Sequence, residues 1–501
     1  MLSNARFWVY QNVVGLLTWV SFRTGRIEPI RPPRDERIRF VPYGSRFPDI
    51  PLPGVVVPVT FPGAHRPRSR LRRIAMTKRL LGLLDRIAPK HAGPVPDDEQ
   101  RFLAAVFPGF LRRAWPTLPR VPEGLRGSGP AAPDVVAELA TRGPFASYLR
   151  VANGEEVAAA EAAERDYVID LSWMLDHPAA EGLARPGGKA VLAVRDGRLS
   201  TVAIRAGGTS GDAARLTLLA GMNEDLTTFR HNLSVHLVML TSFAVATTNA
   251  LPPAHPVRRL LHHCFHTVLI GNREVAELQF SGRRGFSARI FSHDHQGLAA
   301  MGRDYLGRYD FWDFEPEVQF ARRGTAETPF TYPYRDNVLR LWEVTSSYVS
   351  AYLGVYYADD AAARADVALT EWVGLLDDLL PNGVRPQDDG TTLDWLGRLC
   401  ATLIHVSTVE HDYLNNIAWN YSTLGWIVPT VVPLSGTRMD RRRAFDLVAT
   451  IIGTWKPYNM LLTSDIASLA LDDDARRVME KWISDLGRIQ EEMSAEPIDP
   501  G

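Results

Sequence analysis

Between Leu233 and Ala246 the chain reads LSVHLVMLTSFAVA, fourteen residues without a single Asp, Glu, Lys or Arg. A helix that is apolar nearly all round must lie in the middle of a protein, so this stretch fixes the centre around which the rest has to pack. It also carries a problem. His236 sits inside it and His231 just before it, and a buried imidazole without a partner is costly. A lone core histidine is ordinarily satisfied by a nearby carbonyl or hydroxyl. Two of them five apart are harder to place. At about 100° per residue, positions i and i+5 point about 140° apart and cannot easily grip one ion. An inserted residue with an i→i+5 hydrogen bond widens the turn and draws them toward one side, and such π-bulges occur mostly at functional sites. The segment therefore predicts either two unrelated core histidines or a bulged helix that grips a metal.

A chain of 501 residues with 46% hydrophobic and 23% charged residues can bury a large core. Its formal net charge of −1 gives no global pull toward nucleic acid, and none is expected as a partner. Cys264 and Cys400 are too few for a disulfide framework and fit a reducing compartment, so a cytoplasmic location is expected. The stretch FWVYQNVVGLLTWV (Phe7 to Val20) is too short and interrupted to span a bilayer. It reads as a buried helix or strand pair, with a lipid-touching surface as the alternative.

Residues 27–67 are rich in proline and arginine and read as an extended arm laid over other structure. RPRSRLRRIAMTKRLLGLLDRI follows as a basic, partly amphipathic helix, and 116–134 reads as loop. A soft boundary near 145 separates an N-terminal arm and helices (1–145) from a main body (146–501). In KAVLAVRDGRLSTVAIRAG, two β-rich runs flank Asp196-Gly197, a hairpin signal, and RLTLLAG is expected to add a third strand. From 221 onward helices are expected near 223–249, 253–271, 335–358, 364–380, 392–418, 440–453 and 474–493. The last opens on Asp472, Asp473 and Asp474 and runs Val478, Met479, Trp482, Ile483, Leu486, Ile489, Met493 at helical spacing. The fold class is mainly α, with long central helices and a small β-hairpin or sheet subdomain.

The second apolar helix contains HVSTVEHDYLNN, His405 to Asn416. His411 and Asn415 are four apart and share one face of a regular helix. Together the two segments resemble the lipoxygenase family of non-heme iron dioxygenases. That family carries His-x4-His on a long helix with a π-turn and His-x3-Asn on a second core helix, here His231-x4-His236 and His411-x3-Asn415. TTNALPPAHPVRRLL resembles the block that follows the family's first pair, AVLAVRDGRLSTVAIRAG its preceding hairpin, and EKWISDLGRIQEEM its final helix. The resemblance covers roughly residues 160–493.

Three features depart from the family. The spacing from His236 to His255-Pro256 is shorter than usual. The N-terminus carries no recognisable lipid-binding β-sandwich, as in many bacterial members. The family's terminal isoleucine, whose carboxylate ligates iron, is replaced by SAEPIDPG. Gly501 offers its carboxylate only if the tail threads inward.

The resemblance implies a lipoxygenase-like helical catalytic domain with one non-heme iron per chain, held by His231, His236, His411 and Asn415, with Gly501 as a further candidate. Three imidazoles and an amide oxygen suit iron better than a closed tetrahedral zinc site. In the family a metal-bound hydroxide is the base, so no side-chain acid–base pair is required. The implied substrate is a polyunsaturated fatty acid or similar lipid, with O2 as co-substrate and a hydroperoxide as product. Glu410 and Asp412 flank His411 but point about 100° away from it, which makes them supporting or solvated groups rather than ligands. An oxidase of the same fold acting on a non-lipid metabolite, and a non-catalytic lipid or partner binder, are the alternatives.

Other motifs read more plainly. In HHCFH, His262 and His266 have helical zinc spacing, but His263 stands where a zinc protease needs glutamate. SHDH (292–295) and YADDAAARAD read as loop and helix cap. There is no P-loop, no GxGxxG after a strand and no G-x-S-x-G.

Overall fold

The computed structural model describes residues 2–24, 29–61, 79, 83–84, 86, 88–114, 118–126, 134–153, 166–207, 209–265, 268–282, 285–385, 392–411, 420–454, 461–462 and 464–495. Most of the basic stretch 66–87 and parts of 116–134 lie outside them.

The first helix, α1 (Leu2–Thr24), is neither a strand pair nor wholly buried. Phe7, Tyr10 and Val14 are buried while Trp8, Val9, Leu16 and Val20 stay exposed. The arm that follows is pinned by side chains that substitute for a strand partner. Asn249 accepts from the Ile38 amide at 2.8 Å and donates to its carbonyl at 3.0 Å. Arg258 donates to the Arg34 carbonyl and Arg273 to that of Pro58. Strands β1 (Phe40–Pro42) and β2 (Val56–Pro58) pair antiparallel within this arm. Two short helices, α2 (Glu99–Val106) and α3 (Gly109–Ala114), follow.

A second sheet holds β3 (Arg150–Val151), β4 (Asp166–Asp170), β5 (Lys189–Arg195) and β6 (Arg198–Arg205), antiparallel in that order. The expected hairpin joins β5 to β6. Asp196 and Gly197 take φ of 50° and 70°, the two positive values that a tight type I′ turn demands. RLTLLAG does not form the expected third strand. It lies inside α4 (Gly211–Ala250), a single continuous helical run. The reason is packing: from Thr217 to Asp225 every residue of the helix is buried, and periodicity cannot tell such a run from a buried strand. Gly221 settles the geometry. A Cβ there would lie 2.4 Å from the Gly187 nitrogen, so the helix approaches the sheet backbone through a glycine.

α4 is long and apolar enough to cross a bilayer by composition, yet it is the buried centre of the fold. α5 (Pro256–Leu261) and α6 (Val268–Glu274) return beside it. Long helices α7 (Pro333–Tyr356), α8 (Val367–Leu379), α9 (Leu393–Ile404), α10 (Arg441–Thr454) and α11 (Asp473–Ala495) complete the body near the expected positions. α8 is tied to α4 by Trp372 Nε1 donating to Thr247 Oγ1 at 3.0 Å and Ser242 Oγ to the Leu379 carbonyl at 3.1 Å. α11 packs on α7, with Trp482 stacked on Tyr348 at 4.2 Å. Met479, Trp482, Leu486, Ile489 and Met493 are buried, as their spacing predicts.

Candidate metal centre

α4 is not an ordinary helix in its middle. It is π-wound from Asp225 to Leu240, and both His231 and His236 lie in that stretch. The widened turn is thus much longer than the single inserted residue that the spacing requires. Thr241 marks its end, its hydroxyl donating to the carbonyl of His236 five residues back at 3.0 Å. A second difference is in the helix α9, which continues as a π-wound run from His405 to Glu410, ending at His411. The approach to His411 is therefore not the regular helix that its spacing to Asn415 suggests.

The two wide turns bring three imidazoles together. His231 Nε2 lies 3.1 Å from His411 Nε2 and 3.1 Å from His236 Nε2. Ligand atoms of all three fall within 4.8 Å of one another. His231 Nε2 carries either one N–H or one in-plane lone pair, so it cannot make a well-aligned hydrogen bond to both neighbours at once. A cation between them resolves this. Donors at right angles on metal–nitrogen bonds of about 2.1–2.2 Å stand about 3.0–3.1 Å apart, so the spacing fits an octahedral edge.

Burial favours the state a ligand needs. It pushes the His236 and His411 imidazoles down to about 4, and His231 well below its ordinary value, burial acting first and neighbouring imidazoles adding to it at His231 and His236. All three are neutral near pH 7. The side chains nevertheless keep some accessible surface.

Sequence reasoning missed the group that orients His236. Asn272, on α6 and fully buried, accepts from His236 Nδ1 through Oδ1 at 2.9 Å. Its Nδ2 donates to Thr241 Oγ1 at 2.9 Å, and Thr241 donates in turn to the His236 carbonyl. The closed ring fixes the amide orientation, the tautomer and the bare Nε2. A lone Asn in LIGNREV carries no sequence signal for this role.

Glu410 accepts from Tyr334 Oη at 2.8 Å and is not among the ligand atoms that converge. Burial raises its carboxyl above the usual range, while Tyr334, Arg230 and Arg323 oppose the shift. Arg230, beside His231, donates to Ser147 Oγ at 2.6 Å and lies over the Tyr148 ring. Asp225 accepts from Tyr148 Oη at 2.6 Å. Charged and phenolic groups thus brace the turns bearing His231 and His411. Asn415, Asp412 and Gly501 lie outside the described residues.

The remaining motifs serve packing. His263 lies against Trp482, with ring centroids 5.7 Å apart, in a 3-10 turn from His262 to Phe265; His266 is outside the described residues. Cys264 and Cys400 are free and buried, and burial pushes the Cys264 thiol up to about 12. Asp294 caps the helix His295–Gly307 and Asp366 caps α8. His293 is fully buried, its Nδ1 2.9 Å from Glu224 Oε1. A surface cleft of about 520 Å³ lies at the sheet, lined by Ser172, Lys189 and Arg205 among others, and none of the three histidines lines it.

No family model matches this chain. Curated relatives match in part. The Pseudomonas aeruginosa linoleate 9/13-lipoxygenase is 36% identical over 150 residues, 29% of this chain and 21% of that one. The human hydroperoxide isomerase ALOXE3 is 31% identical over 145 residues, 29% and 20% of the two chains. The rat polyunsaturated fatty acid lipoxygenase ALOX15 is 27% identical over 201 residues, 38% and 30%. A calcium-dependent 11R-lipoxygenase superposes with a TM-score of 0.62 at 17% identity, covering 72% of this chain and 62% of that one. This chain has the lipoxygenase fold and is similar over part of its length to lipoxygenases. A second lipoxygenase structure, the coral 8R enzyme, gives a TM-score of 0.60 over 72% and 63% of the two chains. The matched stretches span only a fifth to a third of these curated lipoxygenase relatives, and just under two thirds of the lipoxygenase structures.

Proposed function

We propose that this chain is an iron-dependent oxygenase of the lipoxygenase type, acting on a polyunsaturated fatty acid or a similar lipid with O2. The observation that carries the reading is the convergence of three neutral imidazoles from two π-wound turns, His231 Nε2 standing 3.1 Å from each of the other two. His231, His236 and His411 would hold the iron, joined by Asn415. When bound, iron supplies the one-electron redox chemistry that hydrogen removal from a methylene between two double bonds requires.

The chain's own residues do the rest. Asn272 and Thr241 hold His236 with its Nε2 lone pair turned inward. Burial keeps the three rings neutral, so none competes as a cation for the same space. The π-wound stretch that carries His231 and His236 also carries the buried apolar residues Phe229, Leu233, Leu237 and Val238, which anchor it in the core. Relatives named as linoleate and polyunsaturated fatty acid lipoxygenases support the substrate class.

The test is anaerobic reconstitution with ferrous iron followed by linoleate or arachidonate in air. The expected result is a conjugated-diene ultraviolet band and a hydroperoxide product. Stoichiometric iron with no diene from several fatty acids would overturn the reading. Turnover of a fatty-acid hydroperoxide in place of the free acid would instead align the chain with the relative named a hydroperoxide isomerase.

A further inference from the structure

The helix α1 is built unlike the surface helices around it. Phe7, Tyr10, Gln11 and Val14 are buried on one face, and Tyr10 Oη donates to Asp446 Oδ1 of α10 at 2.6 Å. The opposite face is mostly apolar as well, although the partly exposed Asn12 lies within it: Trp8 is 64% exposed, Leu16 50% and Val9 43%. At about 100° per residue these three fall within one third of the helix circumference. With Val20, they make four of the ten large apolar side chains exposed among the described residues. A solvated helix face carries polar residues instead.

The charges beside this stripe have one sign. Neither Leu2–Thr24 nor Gly109–Ala114 contains an acidic residue. Arg6 lies on one flank of the stripe. On the other lies α3, in direct contact through Gly15, where a Cβ would stand 2.9 Å from Leu111 Cδ1. α3 presents exposed Arg112 and Arg113. None of the three arginines makes an ion pair among the described residues. The chain as a whole carries a net charge of only −1, so the basicity is local.

The geometry points to α1 and α3 as a docking surface for an anionic lipid bilayer. An exposed tryptophan suits the interfacial zone, apolar side chains enter the acyl boundary, and a basic rim meets anionic headgroups. The inner face of α1 is fixed to the body by Phe7, Tyr10 and Val14, so the helix lies on the surface rather than crossing it.

The test uses the full chain and phosphatidylcholine vesicles with and without phosphatidylglycerol, in a sedimentation assay. The chain should partition onto the anionic vesicles, less so at high salt. Arg112→Glu with Arg113→Glu should reduce partitioning at least about tenfold, from about fivefold per basic charge removed. Trp8→Ser with Leu16→Gln should reduce it at both low and high salt, with unchanged circular dichroism and melting. Absence of binding to either vesicle, or equal binding by the variants, overturns the inference. So does a dimer that Trp8→Ser with Leu16→Gln dissolves without any vesicle binding, which assigns the face to a second copy. Binding that emerges only after deletion of residues 62–82 assigns it to the chain's own basic stretch. Iron content is read in parallel, so failure here is separate from failure of the metal centre.

Discussion

His236 Nδ1 and Asn272 Oδ1 stand 2.9 Å apart, and that contact decides which nitrogen of His236 faces the centre. An amide oxygen can only accept, so Nδ1 carries the proton and Nε2 the free lone pair. Asn272→Leu removes the acceptor and leaves Nδ1–H buried and unpaired. Ferrous-iron affinity should fall about 10–100-fold, and stability by about 1–3 kcal/mol. Asn272→Asp keeps an acceptor and should retain most of the affinity. Chelator competition measures both variants; unchanged affinity in Asn272→Leu would show that the ring of hydrogen bonds does not orient the ligand.

Replacing His236 or His411 with alanine should bring bound iron below about a tenth of an equivalent after chelator dialysis, because each removes one of few donors. His263→Ala should retain iron, since His263 lies against Trp482 rather than in the cluster. Metal analysis on the three purified variants separates these outcomes.

Two buried histidines outside the centre should bend the stability curve in opposite directions. His405 is fully buried with no hydrogen-bond partner on either ring nitrogen among the described residues, and burial alone depresses it to about 3. The folded form keeps it neutral while the unfolded chain takes up a proton below about 6.5. Its contribution is therefore complete above that value and is lost as pH falls toward 3, with a slope of up to about 1.4 kcal/mol per pH unit. His293 behaves the other way. Burial opposes its charge, but Glu224 beside it raises it overall, so its contribution is full below about 6.5 and is lost as pH rises through the raised value. His405→Leu should flatten the acid limb of urea stability measured between pH 6.5 and 4, and should stabilise the chain at pH 7 because it removes a buried polar group that has no partner. His293→Leu should flatten the limb above pH 6.5.

Glu224 should matter to stability more than any surface acid. Its carboxylate faces His293 Nδ1 and accepts from the Ser292 and His293 amides, all at full burial. Glu224→Leu leaves those donors unpaired and should cost about 3–5 kcal/mol, whereas Asp473→Ala on the exposed start of α11 should cost under about 0.5 kcal/mol. Chemical denaturation of the two variants checks the contrast.

Much of this was legible before any coordinates. Leu233 to Ala246 had to be central because it carries no charged residue and is apolar nearly all round, and Asp196-Gly197 had to turn because a tight hairpin needs two positive φ values. The five-residue histidine spacing called for a widened turn if the two rings were to share one ion. What the sequence concealed follows from how it conceals. The length of the π-wound stretch depends on packing over the whole helix, not on any residue type. The same holds for the second π-wound run before His411. RLTLLAG looked like a strand because its leucines alternate, while Gly221 packing on Gly187 belongs to tertiary structure. Asn272 is a single polar residue 36 positions from His236, and only the fold brings the two together.

X-ray absorption spectroscopy of the iron-reconstituted chain addresses the central claim most directly. It should show one iron per chain with imidazole multiple scattering from three histidines at about 2.1–2.2 Å, and a shell reduced by one imidazole in His411→Ala. Iron bound with fewer than two imidazoles, or a shell unchanged in His411→Ala, would contradict the account.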